Sequence, residues 1–399
     1  VIFLHLDLGI GGAEQLVVNV AKAAQETLSH EVFIVTSHHD VSHCFEDTKP
    51  DGKLGSRIFV YGDWMPRHLF GGRFTALFAI IRMIFVAMTV IILSFLRMGP
   101  FATSEENTII FVDGVSAPIP LLRLFGFKVI FYCHFPDLLL CYERSSPMKK
   151  VYRLLIDSIE EITTGCANIT LVNSKFTREV FKTTFKTLGT RRPPFVLYPT
   201  VPEAEDTAKE EISCIPYANG FDFIFVSLNR YERKKNISLA IDSFVHLIQE
   251  VKRNQKSGVS ERLLLVVAGG YDRSVMENVQ YLEELMEHCK SHHLPFQYQN
   301  LTWSPHMKDS SDMIDINGQG LVVFRTSISK DERTALLATA TCLLYTPDKE
   351  HFGIVPLEAM CLGVPVVAVN SGGPTETVIN QQTGFLCDSV RPFLLFSFL

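Results

Sequence analysis

Along most of the chain, short apolar runs alternate with longer stretches whose apolar positions recur at helical spacing. Val1–Leu6, Glu31–Thr36, Arg57–Tyr61, Thr108–Asp113, Lys128–Cys133, Asn168–Asn173 and Phe195–Tyr198 read as strands, several of them apolar on both faces. Ala13–Leu28, Pro147–Cys166 and Ser174–Phe185 read as helices between them. Strands apolar on both faces and separated by helices predict a parallel sheet covered on both sides. The rhythm breaks at Val201–Gly220, where Pro202, an acidic cluster and Asn219-Gly220 mark a boundary. It then restarts with strands over Asp222–Leu228, Arg262–Ala268, Thr341–Tyr345 and Val364–Val369 and helices over Ile237–Lys252, Ser274–Lys290 and Gly353–Leu362. Ser274-x-x-Glu277 and Ser329-x-x-Glu332 read as capping boxes that open helices. The pattern is α/β: two doubly wound, Rossmann-like domains, residues 1–205 and 221–399, with a linker over 206–220. Such domains are expected to face a central cleft lined by the loops at the carboxyl ends of their strands.

Two stretches depart from the alternation. Phe296–Gln319 is polar and irregular, too long for an ordinary connection, and reads as an insertion. Arg391–Leu399 ends the chain in an apolar tail. A third stretch, Ala76–Leu96, carries Arg82 as its single charge between the flanking Arg73 and Arg97. A helix of that length, at about 1.5 Å per residue, could cross a hydrocarbon core of about 30 Å. A single crossing would leave the first sheet's strands on opposite sides of a membrane. The preferred expectation is therefore a helix lying in or dipping into one leaflet with Arg82 snorkelling; an ordinary buried helix and a true span are the alternatives.

Composition narrows the function classes. The 399 residues carry 37 Lys+Arg against 43 Asp+Glu, a net charge of −6, and no long basic run, so broad nucleic-acid binding is not expected. Any phosphate must be held locally. The 9 cysteines are scattered without a C-x-x-C pair and read as reduced, cytosol-facing thiols packed as small apolar residues. Residue 1 is Val inside an apolar run, so the native start is expected to lie upstream.

Leu8-Gly9-Ile10-Gly11-Gly12-Ala13-Glu14 follows the first strand and opens a helix, where Gly11 and Gly12 allow close backbone approach and the helix N-terminus offers free N–H groups. Glu14 stands where a dinucleotide fingerprint has its third glycine, which disfavours a dinucleotide pyrophosphate. Arg230, Arg233, Lys234 and Lys235 crowd cations into the loop after the second domain's first strand, a setting suited to a diphosphate held without metal. In Glu350-His351-Phe352-Gly353-Ile354-Val355-Pro356-Leu357-Glu358, Pro356 suits a first helical turn. Glu350 then lies in the loop and can meet sugar hydroxyls, Glu358 lies one turn into the helix and can reach a ribose, and the Gly353 region offers N–H groups to phosphate. Asn370-Ser371-Gly372-Gly373-Pro374-Thr375-Glu376 reads as a second glycine-rich turn towards the same ligand. His134, in His134-Phe135-Pro136-Asp137, ends a first-domain strand and can bond a sugar hydroxyl or polarise a phosphate. His38, His39, His43 and Cys44 match no standard zinc spacing, and no metal is expected there.

In that order, Gly11-Gly12-Ala13-Glu14, the Arg230/Lys235 pair, the E-x7-E stretch Glu350–Glu358 and Gly372-Gly373-Pro374-x-Glu376 resemble retaining family 4 glycosyltransferases of the GT-B fold. The longer strings Tyr132–Leu140, Asn229–Asn236 and Glu350–Met360 resemble, more narrowly, the α-1,3/1,6-mannosyltransferases of dolichol-linked oligosaccharide assembly, over about residues 1–295 and 322–388. The resemblance implies GDP-mannose as donor, no cofactor, and a mannosylated chitobiose on dolichyl diphosphate as acceptor. It also implies membrane lipid and other early glycan-assembly mannosyltransferases as partners, at the cytosolic face of the endoplasmic reticulum membrane. Carried over, Arg230 and Lys235 would neutralise the leaving diphosphate, Glu358 would bind the ribose, and Glu350 the mannose. His134 would bind a mannose hydroxyl near the reacting carbon. Gly11, Gly12, Phe352, Gly353 and Ile354 would complete the nucleotide-sugar contacts, and Glu14 and Asp137 would lie on the acceptor side. The alternatives are another GT-B lipid-sugar glycosyltransferase and an inactive membrane-bound scaffold. The family continues past Gly384–Phe385 with further helices, so this chain is expected to be an incomplete copy.

Overall fold

The computed structural model describes residues 1–67, 74–102, 107–140, 147–201, 215, 218–254, 262–299 and 320–388. The chain divides into two compact units, Val1–Thr200 and Val201–Leu399.

The first unit is built on β1 (Ile2–Leu8), β2 (Phe33–His39), β3 (Ile58–Val60), β4 (Ile109–Asp113), β5 (Lys128–Cys133), β6 (Ile169–Val172) and β7 (Phe195–Val196). They pair in the order β3-β2-β1-β4-β5-β6-β7, all parallel. The chain order reverses direction between β1 and β4, which opens a crevice at their carboxyl ends, the usual place for a ligand in such sheets. Apolar residues on both strand faces are buried, by Leu16, Val17 and Val18 of the helix Gly12–Glu26 on one side and by Met83, Val86 and Val90 on the other.

Those last three belong to the helix Thr75–Phe95, the crossover from β3 to β4. Both strands that flank it join the same sheet, so a single membrane crossing is ruled out by topology. Arg82 does not snorkel. It is buried against the sheet, with Nε donating to Ser37 Oγ at 2.9 Å and Nη1 to Asp7 Oδ2 at 3.1 Å. A guanidinium on the apolar face is tolerated because Asp7, at the carboxyl end of β1, pairs with it. The opposite face leaves Leu77, Ile81, Ile84, Met88, Ile92 and Phe95 exposed. The helix is thus part core element and part open apolar surface.

The second unit holds β8 (Phe223–Leu228), β9 (Leu263–Gly269), β10 (Phe296–Gln299), β11 (Leu321–Thr326), β12 (Cys342–Tyr345), β13 (Val366–Val369) and β14 (Gly384–Cys387). Their order is β10-β11-β9-β8-β12-β13-β14, again all parallel, with the reversal between β8 and β12. Three sequence expectations change here. Phe296–Gln299, the start of the expected insertion, is an edge strand paired with β11, and its alternating polar residues reflect an open edge; 300–319 lie outside the described residues. Of the expected linker, Ile215 and Ala218 are buried in the second unit's core, the remainder lying largely outside the described residues, as does the tail 391–399. Ser274 is not a helix cap: its hydroxyl bonds Asp272 at 2.7 Å, and the helix starts at Met276. Ser329 does cap, accepting from Glu332 N at 3.1 Å. Glu332 itself turns inward to hold Arg325 of β11 through bonds of 2.7 and 2.8 Å.

Candidate functional site

In the first unit the crevice is organised by Asp113, the last residue of β4. Its buried carboxylate accepts from His5 Nδ1 at 2.9 Å on one oxygen and from His134 Nε2 at 2.8 Å on the other. His5 lies on the neighbouring β1, and its Nε2 faces the carbonyl of Asp7 at 3.0 Å. A carbonyl and a carboxylate can only accept, so both ring nitrogens carry protons and His5 is an imidazolium. Burial opposes that charge, but the Asp113 bond and the nearby Glu14, 3.8 Å away, outweigh it and raise the His5 pKa to about 10. Burial likewise opposes ionisation of Asp113, yet attraction and hydrogen bonds from His134 and His5 hold it well below the usual carboxylate range. The result is a fixed array, His5–Asp113–His134, in which a buried ion pair sets the plane of the half-buried His134 ring. Tyr132 supports that ring from 4.8 Å.

Glu14 reaches back over Gly11: a Cβ on Gly11 would come within 2.3 Å of the Glu14 carboxylate, whereas Gly12 faces open space. The crevice therefore gathers Gly11, Gly12, Glu14 and His134. Asp137 begins the short helix Asp137–Leu140 just after His134. The backbone N–H groups of Asp137 and Leu138 donate to Glu160 at 2.7 and 2.9 Å, so Glu160 pins the loop that carries His134. Burial pushes the Glu160 pKa up to about 7, against the pull of those two N–H groups. Raised above its unfolded value, this carboxyl contributes stability at low pH that is lost as pH climbs towards 7. Unfolding free energy is expected to fall between about pH 5 and 7 by an amount on the order of a few kcal/mol, read as a lower melting temperature, and Glu160→Gln is expected to flatten that slope. A profile unchanged in the variant would remove Glu160 from this role.

In the second unit the loops after β8, β12 and β13 meet at the β8/β12 reversal. Buried Tyr231 anchors the first of them, its hydroxyl 2.9 Å from Val267 O and 3.1 Å from Arg325 O. Lys235 O accepts from Thr346 Oγ1 at 2.8 Å, tying that loop to the one after β12. Lys235 Nζ then meets Glu350 Oε2 at 2.5 Å, with both side chains more than four-fifths buried. Burial would raise the Glu350 pKa, but Lys235 lowers it below the ordinary value. Arg230 projects outward, 66% exposed, with one nitrogen 3.2 Å from Glu232. Arg233 turns to Glu284, Arg230 and Lys234 share Glu232, and Lys235 is the cation paired into the loop after β12, with Lys234 adding to the positive field at Glu350.

Phe352 is buried, and Gly353, at φ 82°, caps the helix Ile354–Cys361. Only glycine takes this left-handed turn without cost, and it frees the first N–H groups of the helix, including that of Ile354. Glu358 lies further along the same helix and is paired with Arg333. Burial raises its pKa and Arg333 opposes the rise. The second glycine-rich turn has a structural duty. Gly373 N donates to Glu350 O at 2.7 Å, and a Cβ on Gly372 or Gly373 would sit 2.4 Å from Glu350 O or 2.2 Å from Phe352 O. Those glycines let the β13 loop press against the Glu350 loop and hold it in place. His38, His39 and Cys44 do not converge: His38 bonds Asp63 and His39 bonds the carbonyls of Leu8 and Thr48.

A family model described as "Glycosyl transferases group 1" matches residues 209–392, the unit with this second crevice. The chain is 44% identical over 393 residues to alpha-1,3/1,6-mannosyltransferase ALG2 of Homo sapiens, covering 97% of this chain and 83% of that protein. It is 43% identical over 392 residues to ALG2 of Rhizomucor pusillus, covering 98% and 80%. The chain belongs to the α-1,3/1,6-mannosyltransferase family. It is a glycosyltransferase, and its two parallel seven-stranded sheets are the GT-B arrangement. Among solved structures it is similar to sucrose-phosphate synthase from Thermosynechococcus elongatus, with TM-score 0.64, 14% identity and coverage of 99% and 87%. Anabaena Alr3699/HepE in complex with UDP and glucose matches with TM-score 0.57 and 17% identity over 97% and 85%. For a member of the mannosyltransferase family, sequence reasoning singled out His134 but missed Asp113 and His5, which orient it. The available signal was an ionisable residue, Asp113, closing an otherwise apolar strand at its carboxyl end.

Proposed function

We propose that this chain transfers mannose from GDP-mannose, with retention, to a mannosylated chitobiose on dolichyl diphosphate, making α-1,3 and α-1,6 linkages in succession. The observation that carries the reading is the buried Lys235–Glu350 pair, with Arg230 exposed on the same loop as Lys235, at the β8/β12 reversal of a family member. Breaking the anomeric bond gathers negative charge on the GDP oxygens while the sugar becomes oxocarbenium-like. Lys235 and Arg230 supply fixed positive charge for the leaving diphosphate, without a metal, and the Gly353–Ile354 amides add N–H donors. Glu350, released from Lys235 as the diphosphate takes its place, accepts from mannose hydroxyls. Glu358, held by Arg333, receives the ribose; Phe352 walls the pocket; Gly11 and Gly12 give backbone access. His134, fixed by Asp113, bonds a mannose hydroxyl near the reacting carbon, and Glu14 and Asp137 attend the acceptor. No side-chain carboxylate is assigned as nucleophile, so attack from the departing face accounts for retention.

The test is to incubate the protein with GDP-mannose and phytanyl-diphosphate chitobiose bearing one mannose, and to read product mass. A gain of one and then two hexoses is expected. No gain with this acceptor, or a gain only with phosphatidylinositol, would reject the reading.

The acceptor's lipid places the reaction at a membrane, which we assign to the cytosolic face of the endoplasmic reticulum. The open face of Thr75–Phe95 supports seating on a leaflet: Ile81, Ile84 and Ile92 share one exposed stripe, while Val90 and Ile91 face the core. Ile81→Lys with Ile92→Lys is expected to release the protein from phospholipid vesicles in sedimentation while leaving its melting temperature nearly unchanged. Sedimentation with vesicles as before would count against membrane seating.

A further inference from the structure

Among the described residues, one group of side chains converges as metal ligands do, and it lies outside both crevices. Asp242 projects from the helix Ile237–Asn254, and His288 and His292 stand one turn apart at the end of the helix Met276–Ser291. Nε2 of His288 lies 2.6 Å from Asp242 Oδ1, and Nε2 of His292 lies 3.4 Å from the same oxygen. The two rings meet edge to face, 4.7 Å apart. One ligand atom from each residue falls within 4.8 Å of the others. A hydrogen bond between the helices would need one imidazole; here two aim the same nitrogen at one point.

We propose that Asp242, His288 and His292 form a site for a zinc-class divalent cation. Imidazole and carboxylate are the donor types that suit zinc, at about 2.0–2.2 Å from the ion, which sets neighbouring donors of a tetrahedron about 3.3–3.6 Å apart. Small rotations of three side chains, each about one-third exposed, reach that spacing and leave the fourth position to water. Two histidines four residues apart on one helix face are a common half-site for such ions.

The place of the site gives it a role. The helix bearing Asp242 begins directly after the Asn229–Asn236 loop. The helix bearing the histidines also holds that loop, through Asn278 Nδ2 to Tyr231 O at 3.0 Å, and receives the first N–H of the Asp242 helix, Ile237 N to Tyr281 Oη at 2.8 Å. A cation bridging the two helices clamps the frame of the loop that carries Arg230 and Lys235. It does so from outside the reacting groups, as a structural ion.

The full chain, stripped with chelator, is titrated with zinc chloride by calorimetry, and metal content is read after dialysis. One equivalent is expected, raising the melting temperature. His292→Ala, which spares the His288–Asp242 bond, and His288→Ala are each expected to weaken binding at least about tenfold, since losing even an outer-shell partner of a metal ligand costs about 10–100-fold. Cobalt substituted for zinc should give a four-coordinate visible spectrum without a thiolate charge-transfer band. No zinc bound by the parent chain, equal affinity in both histidine variants, or a thiolate band assigning the ion to cysteine would overturn the proposal.

Discussion

Lys235→Ala is expected to lower kcat/KM for mannose transfer from GDP-mannose by about 10²–10³, the usual worth of one preorganised charge at a developing anion, about 2.7–4 kcal/mol. Lys235 is largely buried, its backbone is fixed by Thr346, and its ammonium is already paired with Glu350. Glu350 holds that ammonium in place until the diphosphate displaces it. The same change removes the main cation that lowers the Glu350 pKa, leaving the weaker pull of His351 and Lys234 against the cost of burial. The single variant should therefore lose stability as well as activity. Adding Glu350→Gln removes the stranded charge, so the double variant is expected to regain melting temperature without regaining turnover. Recovery of turnover would show that the loss came from folding and not from the diphosphate.

Asp113→Ala is expected to cost about 3–5 kcal/mol of stability, because it strands the His5 imidazolium in the core of the first unit. It also frees His134 from the bond that sets its ring. Combining it with His5→Leu eliminates the stranded cation and should restore much of the stability in urea unfolding. Transfer should stay at least about tenfold below the parent in that double variant, since His134 still lacks its anchor. A double variant with parental kcat would mean that Asp113 serves only the fold.

Much of this was legible from residue order. Apolar runs such as Thr108–Asp113 and Lys128–Cys133 give their strands away because a parallel sheet buries both faces. The cations and carboxylates of the second crevice lie in continuous strings beside strands, so their local setting could be read. What could not be read depends on partners distant in sequence. Arg325 argues against a buried strand at Leu321–Thr326 until Glu332 is seen to pair with it. Arg82 looks like a snorkelling charge until Asp7 is placed beneath it. Phe296–Gln299 reads as loop because this short edge strand, covered on one face where Phe296 meets Phe324, alternates apolar with polar residues and has no apolar run. Arg233 looks equivalent to Lys235, yet the helix bearing Glu284 draws it away, while Arg230 and Lys234 share Glu232. The glycines at 372 and 373 suggested a ligand, but the backbone they accommodate is that of Glu350 and Phe352.

The most direct measurement is a crystal structure of the chain with GDP. The account predicts diphosphate oxygens within about 2.7–3.2 Å of Lys235 Nζ and the Arg230 guanidinium, with Glu350 parted from Lys235. GDP bound away from the Asn229–Asn236 loop, or a Lys235–Glu350 pair intact beside a bound nucleotide, would contradict it.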